Sequence, residues 1–384
     1  MANPSRKMAT MRKVDAITPI EGADRIECAH IGGWTCVVGK GDFEPGDLCV
    51  YYEVDSFLPT GDPRYAQFAE RGEKDMTIKG NPTKGHVLRT IKLRGQISQG
   101  LLMRPQDVLP ESVPEHAYQL MYDHRARLDG ICGVCEYHPG QNSLAAGFIG
   151  KYDPYVAPRT DAERVQNIDQ ETFDLIKRCG YFTSVKVDGT SITLVNDSRH
   201  GRIRAFSHNN EFSLDEGQGK LVMETAKRQG LIKFLEDCPD ITIQAELCGA
   251  KIGGNTLRLK EYRLFVFSVY DVTNRKYLAP YDFTANPIAA SVYLSCTPCV
   301  EDDVDVHGRH FLDQFDTPQD LIEWTNSLRG SVTDNVLDEG IVVHVMDASD
   351  LSKDEQMTLR NVLGEQMQMK SVSAAFLLKK AKRG

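Results

Sequence analysis

Over roughly the first 130 residues, apolar positions come in short runs, WTCVVG, DLCVYYEV and HVLRTIKL, each cut off by Gly, Pro or Asp. Runs of this length bounded by turn residues predict strands, and a succession of them predicts a small closed β-barrel of the OB type over residues 1–130. Residues 131–158 are rich in Gly, Pro and Tyr and read as a linker. The next stretch, TDAERVQNIDQETFDLI, has helical spacing, with Thr160 or Asp161 as the cap and Glu163 near the capping-box position. From Tyr181 onward the pattern alternates. YFTSVKV and SITLV flank a tight Asp188-Gly189 turn, and RIRAFSH, ITIQAEL, YRLFVFSVYDV and GIVVHVM are further strands. KLVMETAKRQGLIKFLEDC and TPQDLIEWTNSL carry apolar residues three and four apart, as amphipathic helices do. The expected fold is α+β: an N-terminal OB-like β-barrel, then a C-terminal domain over residues 159–384 built on antiparallel sheet.

Composition narrows the class only a little. With 384 residues, 41% hydrophobic and 26% charged, the chain is long enough for two cores of ordinary globular make-up. No apolar run reaches the roughly 18 residues of a membrane span, and MANPSRKMATMRK has no apolar stretch behind its basic residues. The expected location is therefore intracellular, in the cytoplasm, without membrane association. The ten cysteines are read as reduced thiols. Two C-x-x-C pairs, Cys132/Cys135 and Cys296/Cys299, lie much farther apart than the roughly 15–20 residues over which zinc ribbons close, so coincidence is favoured over zinc. A net charge of −9 argues against indiscriminate coating of nucleic acid. It leaves room for local basic stretches: Lys79, Lys84, Arg89, Lys92, Arg94 and Arg104, and at the end Lys379, Lys380, Lys382 and Arg383. Neither G-x-G-x-x-G nor G-x-x-x-x-G-K-[ST] occurs, so Rossmann and P-loop nucleotide binding lack support.

Candidate chemistry begins at Lys186-Val187-Asp188-Gly189. A lysine attacks only as the free amine, and its reference pKa near 10.4 has to be lowered for that. K-x-D-G alone is a weak signal, since a hairpin turn with an exposed lysine fits it equally. Residues farther along the chain strengthen it by their order. Glu246 ends the strand ITIQAEL, an aromatic strand carries Phe265 and Phe267, Glu339-Gly340 opens GIVVHVM, and Lys370 lies in QMQMKSVS.

This ordered set resembles the covalent nucleotidyltransferase superfamily of ATP-dependent DNA and RNA ligases and mRNA capping enzymes. VLRTIKLRGQISQGLL (87–102) and PRTDAERVQN (158–167) further resemble one RNA ligase family, with members in Deinococcus and Naegleria, that joins an N-terminal OB domain to a C-terminal ligase domain. DNA ligases and capping enzymes place their OB domain after the catalytic one. Only fourteen residues follow Lys370, which favours the RNA ligases. The alternatives are a DNA ligase or capping guanylyltransferase, and a non-catalytic RNA-binding relative.

The resemblance implies that Lys186 is the nucleophile and forms lysyl-AMP from ATP, and that AMP then passes to an RNA 5′-phosphate, which a 3′-hydroxyl attacks. It implies that Asp188, Glu246 and Glu339 hold Mg²⁺ or Mn²⁺, with Gly189 in the nucleotide-binding turn. Lys370 would touch the α-phosphate and help lower the Lys186 pKa. Phe267, in preference to Phe265, would stack on adenine, and Arg164 and Gln166 would border the nucleotide. Ser207-His208-Asn209 and His344 stand where relatives carry S-R-N and a basic residue. They are candidate RNA contacts whose cationic form would fade above neutral pH. Lys92 and Arg94 are candidate phosphate contacts of the barrel. Trp34, Tyr51 and Tyr52 are possible base platforms, although core packing is favoured for each. The expected partner is RNA with 3′-OH and 5′-phosphate ends, as a nicked duplex, and the expected state is a monomer.

Overall fold

A computed structural model of the chain describes residues 6–78, 80–138, 147–159, 161–278, 296–298 and 311–381. It divides into two compact units, residues 4–141 with 377–384 and residues 142–376 with 1–3. No described helix is long and apolar enough to cross a membrane.

The N-terminal unit is made of short strands in small sheets. Ala9–Lys13, Leu48–Tyr52 and Leu101–Met103 form one, Ala16–Pro19, Ile26–Ile31 and Trp34–Gly39 another. Alternation decides which side chains turn inward: along Trp34–Gly39, Trp34, Cys36 and Val38 are buried and their neighbours half-buried. Trp34, Tyr51 and Tyr52 are all fully buried, so they are core and offer no ring face to a base. HVLRTIKL is not one strand. Asn81–Val87 ends before Leu88, and Thr90–Leu93 starts a separate hairpin with Gln96–Gln99. That hairpin turns through Arg94 and Gly95, both with positive φ, as a tight two-residue turn requires. Lys92 and Arg94 stand exposed on it.

The C-terminal unit has two sheets. In the seven-stranded sheet the order is Phe148–Lys151, Asn210–Phe212, Arg202–Phe206, Thr190–Asp197, Ile241–Cys248, Arg263–Asp271, Lys276–Leu278. In the four-stranded sheet it is Glu163–Arg164, Gln368–Val372, Gly340–Asp347, Gly180–Lys186. Every pairing in this second sheet is antiparallel except that of Glu163–Arg164. Tyr181, Ile341, Val343, Val345 and Met369 project from one of its faces into a core shared with Phe173, Ile176 and Leu321.

Three elements differ from their sequence reading. The helix expected from Thr160 or Asp161 starts only at Gln170, capped by Asp169, whose carboxylate accepts from the Thr172 N–H. Glu163 and Arg164 instead form a strand beside Gln368–Val372, so tertiary pairing overrides the helical spacing; Thr160 lies outside the described residues. KLVMETAKRQGLIKFLEDC is two helices, Gly217–Arg228 and Leu231–Asp237, because Gly230 turns left-handed at φ 76°. The segment expected as a linker carries structure at both ends: Cys135–Glu136 pairs with Ser56–Pro59, and Phe148–Lys151 pairs with Asn210–Phe212. Tyr152, Val156 and Ala157 then pack with Phe206 and Tyr270.

Candidate active site

The sequence repeat of two places the candidate residues. Directly opposed residues of a sheet share a face, and so do residues two apart along a strand. Lys186 lies opposite Gly340, Ser184 opposite Val342 and Phe182 opposite His344; Val342 lies opposite Lys370, and His344 opposite Gln368. One face of the four-stranded sheet therefore carries Lys186, Ser184, His344, Gln368 and Lys370, and the other is packed core.

Lys186 does not lead into a hairpin. Gly180–Lys186 and Thr190–Asp197 belong to different sheets, and Asp188-Gly189 is the crossing between them. The crossing presses Gly189 against the Glu246 strand. A Cβ there would meet the Leu247 carbonyl at 2.3 Å and Glu246 Cγ at 2.9 Å, so only glycine fits. Its N–H also hydrogen-bonds the Glu246 carboxylate. Glu246 is opposite Ser191 on one side and Phe265 on the other.

Past Phe265 the register shifts: Ala245 faces Val266 but Gln244 faces Ser268. Phe267 is the extra residue of this bulge, which re-aims its side chain. Phe265 is 1% exposed and packs with Val185, Val187 and Leu257, whereas Phe267 is half-buried.

These residues meet in a cavity of about 170 Å³. Of the residues singled out in the sequence, Lys186, Glu246, Phe267, His208, His344 and Lys370 line it. Lys186 Nζ sits 2.9 Å from Glu339 Oε2. Asp188 is buried beside it, and its Oδ2 accepts from Thr256 Oγ1 at 3.1 Å. Arg164 and Gln166 are buried and do not line the cavity, although Arg164 is in register with Lys370. Asn209 is not a lining residue either; its carbonyl accepts from the Tyr152 N–H. Ser184, Ser191 and Gln368 line the cavity and were missed. Alternation carried the signal for two of them, since Ser184 and Gln368 each lie two residues before a candidate lysine.

The electrostatics depart from expectation at two points. Burial opposes the charge on Lys186, but Glu339, Glu246 and Asp188 outweigh it and hold its pKa above the ordinary amine value. The lowered pKa expected for a nucleophile is therefore absent without a ligand, because one amine sits among three carboxylates. The same crowding acts on Glu246: burial, with Glu339 and Asp188 nearby, pushes it up to about 8 against the pull of Lys186. His344 is not a titrating cation near neutral pH. It is stacked on Phe182, with ring centroids 4.2 Å apart, and its Nε2 lies 3.0 Å from Ser184 Oγ. Burial depresses its pKa to about 3.

Among the described residues, no group of three His, Cys, Asp or Glu is arranged to ligate a metal directly. Cys132 is buried and Cys135 half-buried; Cys299 lies outside the described residues.

A lysine held among carboxylates at the end of a strand, on a two-sheet domain preceded by a barrel of short strands, has the plan of a polynucleotide ligase. Residues 181–360 match the RNA ligase family model and residues 8–105 match an OB-fold domain model. No match was found among curated proteins. Among solved structures, an apo variant of Naegleria gruberi RNA ligase aligns over 100% of both chains, at 26% identity and TM-score 0.75. A variant of that enzyme with ATP and Mn aligns at 27% identity and TM-score 0.72, over 97% of this chain and 99% of its own. The same enzyme with pyrophosphate gives 26% identity and TM-score 0.74, over 99% and 100%. Together these matches support an ATP-dependent RNA ligase with an OB-fold domain ahead of an RNA ligase domain.

Proposed function

We propose that the protein seals RNA ends bearing a 3′-hydroxyl and a 5′-phosphate, at nicks in a duplex, through lysyl-AMP at Lys186. The observation that carries this reading is the approach of Glu339 to Lys186, which lines one cavity with Glu246, Phe267 and Lys370. Lys186 Nζ attacks the α-phosphorus of ATP in line, the phosphorus–nitrogen bond forms, and pyrophosphate leaves. The ammonium gives up its proton first, and Glu339 is in position to accept it. Lys370, on the same sheet face, offsets charge on the α-phosphate. Phe267 offers a ring face to adenine.

The Naegleria structures with ATP and Mn suggest the same cofactors here, with Mg²⁺ as the other candidate metal. The residues fit a hydrated ion better than a directly ligated one. Asp188, Glu246 and Glu339 outnumber the one amine among them but do not form direct ligand geometry, and Mg²⁺ keeps its waters readily. Glu246 and Glu339, with Asp188 behind them, would hold it, and when bound it supplies neutralisation of phosphate charge. The proposed site is monomeric, and the exposed Lys92 and Arg94 of the barrel hairpin are phosphate contacts in this reading. His208 faces the same cavity as a polar RNA or nucleotide contact.

Sealing assays on nicked duplexes with RNA or DNA on each side of the nick test the proposal. Wild type is expected to seal nicks with an RNA 3′-hydroxyl side, and Lys186→Ala to lose sealing and AMP labelling by more than about 10³-fold. Sealing by Lys186→Ala at the wild-type rate would overturn it.

A further inference from the structure

The loop between the Glu246 strand and the Phe267 strand, residues 249–262, has an unusual backbone. Lys251, Asn255 and Arg258 take φ of 67°, 48° and 55°, in the left-handed region that a side-chain-bearing residue seldom adopts. The surroundings hold each of them there. Asn255 spans the turn with its side chain: Nδ2 donates to the Leu259 carbonyl at 2.9 Å, and Oδ1 accepts from the Leu259 N–H at 2.9 Å. The Arg258 N–H donates to the Asn255 carbonyl at 2.9 Å. Leu257 is buried against Val185, Val187 and Phe265, its carbonyl accepts from Thr333 Oγ1, and Thr256 hydrogen-bonds Asp188. The loop is thus fastened from beneath to the strand that presents Lys186.

Its outer side is cationic. Lys251, Arg258, Lys260 and Arg263 are exposed. Among the described residues, Lys251, Arg258 and Lys260 form no ion pair. Several arginines elsewhere in this unit are paired: Arg178 with Glu355, Arg202 and Arg204 with Glu211, Arg199 with Asp197. In a chain of net charge −9, this loop and the start of the strand after it gather Lys251, Arg258, Lys260 and Arg263 around a single exposed carboxylate, Glu261, which lies 3.7 Å from Arg228.

We infer that this loop is a docking surface for the RNA phosphodiester backbone, holding the strand beside the reacting end at a fixed distance from Lys186. The inference rests on the RNA-sealing reading above. Cations on a rigid backbone suit phosphate recognition because their positions are set before binding. Binding through them is independent of base sequence and sensitive to salt.

The test is the triple variant Lys251→Ala/Arg258→Ala/Lys260→Ala of the full chain, with a nicked RNA duplex as the binding probe. A control variant removes three exposed lysines elsewhere in the unit, Lys220→Ala/Lys276→Ala/Lys353→Ala. Loss of about three phosphate contacts predicts that RNA affinity falls roughly tenfold or more at moderate salt, and that the slope of log K against log salt shrinks by about 2–3. The control variant should match wild type in both. Thermal unfolding of the triple variant checks that it is folded, and AMP labelling of wild type separates the two hypotheses. If wild type is not labelled, the sealing reading fails. If it is labelled and the triple variant binds RNA with wild-type affinity and slope, the loop proposal fails. An ATP requirement that shifts in the triple variant while RNA affinity stands would also overturn it.

Discussion

Two clusters of buried charge in the C-terminal unit use the same residue types with opposite results. Around Arg204, three arginines meet three carboxylates. Arg204 forks onto Glu211 through Nε and Nη2, at 3.0 and 2.7 Å, and reaches Asp197 and Asp153 at 2.8 and 2.9 Å through Nη1. Arg199 and Arg202 complete the set. Despite burial, hydrogen bonds from Arg199, Arg204 and His200 hold the Asp197 carboxyl well below its ordinary range. Around Lys186, one amine meets Glu339, Glu246 and Asp188, and the pKa values of both Lys186 and Glu246 rise. The first cluster is balanced and structural. The second carries uncompensated negative charge, the condition expected where a cationic or phosphate-bearing ligand completes a site. Burial and ion pairing are common to both clusters, whereas the shifts at Asp197 and Glu246 run in opposite directions.

The largest effect should come from unbalancing the structural cluster. Arg204→Ala leaves Glu211 with only Arg202 and Asp197 with only Arg199 and His200 as side-chain partners, and chemical denaturation should show a loss of about 3 kcal/mol, the low end for a broken buried ion pair. Arg204→Leu combined with Glu211→Leu should recover part of that loss, because it removes the stranded charge. A mild single variant would mean that solvent already reaches the cluster.

Relieving the second cluster should do the reverse. With a folded pKa near 8 against an ordinary 4.5, Glu246 keeps a proton in the folded chain that the unfolded chain releases. Its contribution to stability is full below about pH 4.5 and is lost as pH rises toward 8. Glu246→Gln should therefore melt higher than wild type without ligands, by a few degrees at pH 8 and by little at pH 5, given roughly 2–4 °C per kcal/mol for a unit of this size. AMP labelling should be lost in the same variant. A Glu246→Gln protein that is labelled normally, or is less stable at pH 8, would erase the distinction between the clusters.

Phe267→Ala removes the proposed adenine platform without altering charge. Stacking is worth about 1–3 kcal/mol per base, so the ATP requirement for labelling should rise roughly tenfold. The smallest effect is expected at His344. Its pKa near 3 means that it is neutral throughout the working range, so His344→Gln should leave the alkaline limb of the sealing profile unchanged. The folded chain excludes a proton there that the unfolded chain binds below about pH 6.5, so wild type should lose stability on acidification, and His344→Gln should lose less.

Much of this site was legible in the sequence because the candidate residues follow one another in a recognisable order. Lys186, Glu246, Phe267 and Lys370 were marked by that order and by the family resemblance it carries, and their strands bring them to one cavity. The barrel of short strands and the helix Pro318–Ser327, with its Thr317 and Asp320 capping box, followed from local pattern in the same way. The parts that were not legible depended on partners distant in the chain. The strand at Glu163–Arg164 exists only because Gln368–Val372 lies beside it. The bulge that separates Phe267 from Phe265 is a property of the paired strands. His344 reads as a basic-site substitute until Phe182 and Ser184 are seen packed against it. The Lys186 pKa was expected to fall from its role, and rises because three carboxylates converge from different strands.

The central claim concerns a covalent bond at one amine, and peptide mapping by mass spectrometry tests it most directly. Purified protein incubated with ATP and Mn²⁺ or Mg²⁺ is digested and the peptide spanning Lys186 examined. The account predicts an acid-labile increment of one adenylate on Lys186, discharged by added pyrophosphate. An adenylate found on another residue, or none on Lys186 in protein that seals RNA, would contradict it.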